Sequence, residues 1–220
     1  MAGQTISDEQ RKLNKKLHDS RKDFGNRADG AGVAGRLPEA LIRMKEYGVC
    51  NSFLDYGTGK GKLVTHLRTK LNSEIIIDGY DPAVEEWDKK PEQTYDIVSC
   101  LDVLEHVELL SVDAVLDEIT ELTNNFCYVV IDIQPAVKTL DDGRNAHILL
   151  APPDWWVQKF SARFSSVASF PIFHKSGFKQ KIVISGTNKL NITPIMYGFL
   201  QKMRVMNFVM SGGVLSRKPK

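Results

Sequence analysis

Apolar positions along the chain fall into two alternating patterns, short continuous runs and stripes of helical period. Val49, Phe53 and Leu54 form a run that suits a buried strand. Leu63, Val64, Leu67 and Leu71 then recur on one face of a helix. Ile75, Ile76 and Ile77 open a second run that ends at Asp81. Residues 95–100 read as a central strand, and Val112, Val115, Leu116, Ile119 and Leu122 as a helix stripe behind Ser111, a suitable N-cap. Residues 126–133 are rich in β-branched and aromatic side chains and predict another strand. Pro152 and Pro153 open a helix with Trp155 or Trp156, then Phe160 and Phe164, on its inner face. Residues 164–173 and 178–185 predict a strand pair closed by Lys175-Ser176-Gly177.

The two ends of the chain are patterned differently. Residues 5–23 predict a very polar helix with only Leu13 and Leu17 as an apolar stripe, mobile or loosely docked. Asp29-Gly30-Ala31-Gly32-Val33-Ala34-Gly35 contains Gly-x-Gly-x-x-Gly, but no strand precedes it, so it reads as a flexible loop. Residues 37–47 predict a helix with Pro38 near its start and Gly48 as its stop. At the far end, Thr193-Pro194 opens a helix carrying Ile195, Met196, Phe199, Leu200, Met203, Met206 and Met210 on one side, suited to capping the core or to a homodimer contact. Alternating strands and helices give an α/β fold with a mostly parallel twisted sheet and an antiparallel last strand. The layout is an extension over 1–36, one domain over 37–186, and a helix with basic tail over 187–220.

The turn from the first strand into its helix reads Asp55-Tyr56-Gly57-Thr58-Gly59-Lys60-Gly61. Glycines there permit positive φ and close approach of a ligand to the backbone. This acidic-x-Gly-x-Gly-x-Gly segment resembles motif I of the class I S-adenosylmethionine-dependent methyltransferases. Glu74-Ile75-Ile76-Ile77-Asp78-Gly79-Tyr80-Asp81 is similar to the family's second strand with its terminal acid. Residues 95–107 resemble its fourth strand, with Leu104-Glu105-His106-Val107 similar to the family's Leu-Glu-His-Val continuation. The resemblance implies a Rossmann-like methyltransferase fold and S-adenosyl-L-methionine as cofactor. The cofactor would be held by Asp55, Tyr56, Gly57, Thr58, Gly59, Gly61 and Asp102, with Asp81 on the adenosyl ribose. An acid at the end of a second strand does the same in other nucleotide-binding sheets. In related enzymes the segment before the first strand covers the cofactor, a role open here to Asn26, Arg27 and Arg36. One departure stands out. Only 13 residues lie between Asp81 and Tyr95, too few for a further helix and strand, so the third strand is short or absent. Trp87 then either offers a surface to adenine or plugs the sheet edge.

Charge and composition narrow the function. The net charge of +2 conceals an asymmetry: residues 155–220 sum to +11, with no Asp or Glu, and residues 1–154 to −9. Either that part meets an anionic acceptor or nucleic acid, or it balances the acidic part. No apolar run is long enough for a membrane span, and the polar N-terminus is unlike a signal peptide. Cys50, Cys100 and Cys127 form no Cys-x-x-Cys pair and read as buried free thiols in a reducing, cytoplasmic setting. No His/Cys/acid cluster in the sequence suggests a metal. His106 and His147 are the candidate catalytic bases, since imidazole titrates near neutral pH. Arg144 and Asn145, beside His147, are candidates for substrate binding. The expected activity is methyl transfer to an oxygen or nitrogen of a small or medium acceptor. Nucleic-acid methylation and a non-catalytic cofactor-binding role are the rivals.

Overall fold

A computed structural model describes residues 4–20, 32–173 and 179–203. Strands β1 (Ser52–Tyr56), β2 (Ile76–Tyr80), β3 (Tyr95–Leu101), β4 (Thr123–Asp132), β5 (Ser166–Phe173) and β6 (Lys179–Thr187) form one sheet in the order β2-β1-β3-β4-β6-β5. The first four are mutually parallel, and β6 runs antiparallel to both β4 and β5. Residues 81–94 contain no strand, so the third strand expected to be short or absent is absent and β2 ends the sheet.

Period-2 alternation assigns each strand residue to one of two cores. Phe53, Ile97, Leu101, Phe126, Tyr128 and Val183 face helices α2 (Gly32–Glu46), α3 (Lys62–Leu71) and α6 (Thr193–Lys202). Leu54, Val98, Cys100, Cys127, Val129 and Ile184 face α4 (Val112–Leu122) and α5 (Pro153–Ser161). Both faces of the central strands are covered, which is why those strands read as continuous apolar runs. The three cysteines are buried free thiols, and burial pushes Cys50 and Cys127 up to about 12.

Several sequence expectations are refined. Gly32 begins α2, so the glycine-rich loop does not extend to Gly35, and Pro38 lies inside the helix rather than at its start. The boundary expected between residues 36 and 37 therefore falls within α2. The boundary between 186 and 187 falls within β6. Trp156 is the core tryptophan of α5, while Trp155 carries Lys159 over its ring at 5.1 Å. Met196, Phe199, Leu200 and Met203 of α6 are buried in the first core, so the described part of that helix caps its own chain and leaves no methionine face for a dimer. Met206, Met210, the Lys175-Ser176-Gly177 turn and the basic tail lie outside the described residues.

Candidate active site

Strands β1, β2 and β3 end level, because Tyr56 pairs in register with Tyr80 and Cys100. The residues just beyond these ends meet at the carboxyl edge of the sheet, where open α/β sheets bind ligands. Gly57, Gly59 and Gly61 have φ of 76°, 57° and 65°. A Cβ on Gly57 would sit 2.4 Å from Val103, and one on Gly61 2.3 Å from the Trp87 ring, so both positions exclude a side chain twice over. The N–H groups of Gly57 and Thr58 donate to the Tyr80 carbonyl at 2.7 and 3.1 Å. Asp81 then closes the turn: one carboxylate oxygen accepts from Gly59 N–H and the other from Ala83 N–H, each at 2.9 Å. Each oxygen has a second lone pair, so Asp81 can hold the turn and still accept from a ligand.

A cavity of about 320 Å³ opens above this floor. Tyr56, Gly57, Gly59, Asp81 and Asp102 line it, together with His106 and the apolar Pro82, Val103, Val107 and Val115. Asp55, Thr58 and Gly61 are not in its wall. Asp55 sits on the first-core face, where it accepts the Ser99 hydroxyl at 2.9 Å and supports the turn from below. Trp87 packs against Gly61 and the first core, with the Arg68 guanidinium 6.0 Å from its ring, and so plugs the edge left by the missing strand.

The roof is α1 (Asp8–Ser20), docked on the body where its thin apolar stripe predicts a mobile or loosely docked helix. Gln10, Asn14 and His18 line the cavity at the i, i+4 spacing of one helix face, and Ile6, just before the helix, joins them. Ser7 fastens the front of the helix: its N–H and hydroxyl donate to Glu108 at 2.8 and 2.9 Å, and its oxygen caps Gln10 N–H at 3.1 Å. On the adjacent face Leu13 and Leu17 pack on Ala136, Leu140, Ala146 and Ile148 of the loop after β4. Burial lowers the pKa of His18 below 6.5; the neighbouring Asp81 opposes that shift and Lys60 reinforces it. Arg36 does not take part in the cover, since it donates to the Met203 carbonyl at 3.2 Å and ties α2 to the end of α6. Asn26 and Arg27 lie outside the described residues.

A second group of polar side chains lies beyond the ends of β3 and β4. Asp102, at φ 49°, accepts from Lys181 of β6 at 2.8 Å, and Lys181 also lies 3.7 Å from Asp132. His106 and His147 meet edge to face, with centroids 4.9 Å apart. Each Nδ1 donates to a backbone carbonyl, that of Ala146 for His106 (2.7 Å) and that of Gln134 for His147 (2.5 Å). This leaves the lone pair of the neutral ring on Nε2. Glu105 joins the two histidines in a group whose ligand atoms lie within 4.8 Å of one another, so the expectation of no His/acid cluster is corrected. Chain distance hid it: 40 residues separate His106 from His147. Arg144 and Asn145 prove to be loop anchors. Arg144 bonds Asp142 and reaches Gln10 of α1 at 3.2 Å, and Asn145 binds both the N–H and the carbonyl of Ala136.

Gln10, Asn14, His18, Glu108 and Lys181 were missed. The i, i+4, i+8 row of uncharged hydrogen-bonding side chains in α1 was a usable signal. Lys181 and Glu108 gave none, because their partners are distant in sequence. No Lys or Arg lines the cavity among the described residues.

The methyltransferase domain family model matches residues 9–178. No curated protein sequence matches. Among solved structures, the magnesium protoporphyrin IX methyltransferase of Synechocystis PCC 6803 with bound SAM is similar at TM-score 0.54 and 13% identity, over 84% of this chain and 100% of that one. The Burkholderia thailandensis 1,6-didemethyltoxoflavin-N1-methyltransferase, with bound 1,6-didemethyltoxoflavin and S-adenosylhomocysteine, is similar at 0.53 and 15%, over 85% and 92%. The N-methyltransferase NodS of Bradyrhizobium japonicum WM9 with S-adenosylhomocysteine is similar at 0.52 and 10%, over 81% and 98%. With the family match spanning most of the chain, over the glycine turn and the acids that close it, the chain belongs to the class I S-adenosylmethionine-dependent methyltransferases.

Proposed function

We propose that this chain binds S-adenosyl-L-methionine in the cavity under α1 and transfers its methyl group to an oxygen or nitrogen of an uncharged, small or medium-sized acceptor. The observation that carries the reading is the pre-tied floor, in which Asp81 already binds Gly59 N–H and faces the cavity. The glycine turn suits the group, since Gly57 and Gly59 line the cavity with no side chain of their own. Asp81 would accept from the ribose hydroxyls. The cofactor supplies an activated methyl on sulfur, so the chain's main task is alignment, which can lower a barrier by several kcal/mol. A lining that carries Asp81, Asp102 and Glu108 but no described Lys or Arg suits a cationic cofactor and disfavours an anionic acceptor. Val103, Val107 and Val115 keep water from the reacting atoms. His106, which lines the cavity with Asp102, and His147, packed against it, assist removal of a proton from a hydroxyl acceptor. A cavity bordered by Asp102 and His106 also favours an enzyme over a non-catalytic binding protein.

The test has two stages. Calorimetry with S-adenosylmethionine and S-adenosylhomocysteine should show binding to the wild-type chain, and absence of binding at millimolar ligand would refute the reading. A methyl-transfer screen with labelled cofactor against lipid, glycan, nucleotide and RNA extracts then identifies the acceptor. Label confined to RNA would replace the small-molecule reading with the nucleic-acid one.

A further inference from the structure

We propose that Glu105, His106 and His147 form a binding site for one divalent first-row transition cation at the acceptor end of the cavity. One ligand atom from each residue lies within 4.8 Å of the other two. Glu105 and His106 come from the 3-10 turn Leu104–His106 after β3, and His147 from the loop after β4. These segments are held together independently of any ion. Leu149 N–H donates to the Glu105 carbonyl at 3.0 Å, and Glu105 Oε1 accepts from Asp132 N–H at 3.1 Å.

Two features of the cluster go beyond nearness. Both imidazoles donate Nδ1–H to backbone carbonyls, which orients the rings and places the lone pairs on Nε2. A carbonyl on the second ring nitrogen is the usual outer support of a metal-bound histidine. Glu105 is fully buried, and a carboxylate taken out of water is stabilised by a nearby cation. The donor set of two imidazoles and one carboxylate suits Mn²⁺, Fe²⁺, Co²⁺ or Zn²⁺ rather than Mg²⁺ or Ca²⁺, which prefer oxygen. Three protein ligands leave a coordination position for an outside oxygen.

The consequence rests on the methyl-transfer reading and makes it more specific: the acceptor is a hydroxyl compound. A hydroxyl on the cation releases its proton to water at lower pH. The oxygen then forms the new C–O bond as the C–S bond breaks, and that electron pair stays on sulfur. His106 and His147 then act as ligands and not as proton acceptors, so turnover is chelator-sensitive.

The test titrates the chelator-treated full chain with Co²⁺, followed by visible absorption, and with Mn²⁺, followed by calorimetry. One equivalent should bind. His106→Ala, His147→Ala and Glu105→Gln should each weaken binding by about tenfold or more. His66→Ala, on α3, should not. Circular dichroism checks the fold of Glu105→Gln, and His147→Ala tests the site from a half-buried loop position. No binding at millimolar cation, or equal binding in wild type and all three variants, overturns the site. S-adenosylhomocysteine affinity is measured on the same samples. Its loss with cation binding intact removes the methyl-transfer reading and leaves the site; the opposite result removes the site and leaves the reading.

Discussion

Asp81 is the residue on which two structural levels meet. It ties the glycine turn to β2 and faces the ligand cavity with the same carboxylate. A hydrogen bond to a charged group contributes roughly 1.5–3 kcal/mol. Asp81→Ala should therefore weaken S-adenosylhomocysteine binding by about tenfold or more, and calorimetry showing unchanged affinity would take Asp81 out of the site. Gly57→Ala should act through the fold as well, because the new methyl meets Val103 at 2.4 Å in a left-handed backbone. Strain of that kind costs about 1–3 kcal/mol, readable in a denaturant titration as a lowered midpoint. His106 and His147 are separable from these effects. Their alanine variants should keep cofactor affinity while turnover on the identified acceptor falls about 100- to 10,000-fold, whether the proton leaves to imidazole or to water. Near-normal turnover in both across pH 6–9 would leave alignment alone as the source of rate.

At the scale of elements, α1 covers the cavity and carries a buried histidine. The pKa of His18 in the folded chain lies below the unfolded value of 6.5, mainly through burial. The unfolded or undocked state therefore binds more protons, and stability rises with pH. The contribution of neutral His18 should be complete above about pH 6.5 and should be lost as pH falls from there through the lowered folded value. Melting temperature measured between pH 5 and 8 should show that component in the wild type and not in His18→Gln; identical profiles would place His18 outside the coupling. This helix also marks the limit of what the sequence made legible. The strands were legible because Phe53, Val98 and Val129 sit in runs buried on both faces, and the missing third strand because 13 residues cannot hold another helix and strand. The glycine turn was legible because its chemistry is local. The roof was not, since α1 offers two leucines to the body and presents Gln10, Asn14 and His18 to a cavity that pattern alone does not reveal. Arg144 and Asn145 show a related limit: a polar loop that binds itself has the same composition as one that binds a substrate.

Across the whole molecule, four of the eleven basic side chains behind the charge asymmetry, Lys159, Arg163, Lys181 and Lys202, meet acidic partners of the chain itself. Lys159 and Arg163 clasp Asp113, and Arg163 also holds Asp117; Lys181 bridges Asp102 and Asp132; Lys202 meets Glu39; Lys189 donates to Asn124 and Asn125. The hydrogen bonds from Lys159 and Arg163 hold the Asp113 carboxyl below its ordinary value. Acceptor binding should accordingly respond weakly to salt. A log–log slope of roughly −0.7 to −0.9 for each of several phosphate contacts would instead indicate nucleic acid. Among the described residues no helix is long and apolar enough to cross a membrane. The missing third strand bears on how copies of the chain treat one another. A terminal strand is a template for an incoming chain. β2 is only five residues long, carries Asp78 held by Tyr95 and Arg68, and has its Ile77 carbonyl taken by Arg68 at 2.8 Å. Exposed Ile76 and the Trp87 ring are the apolar groups beside this guard. If Arg68 guards this edge, Arg68→Ala should raise light scattering on mild heating while its melting temperature stays near that of the wild type; unchanged scattering would leave the edge protected by its short length alone.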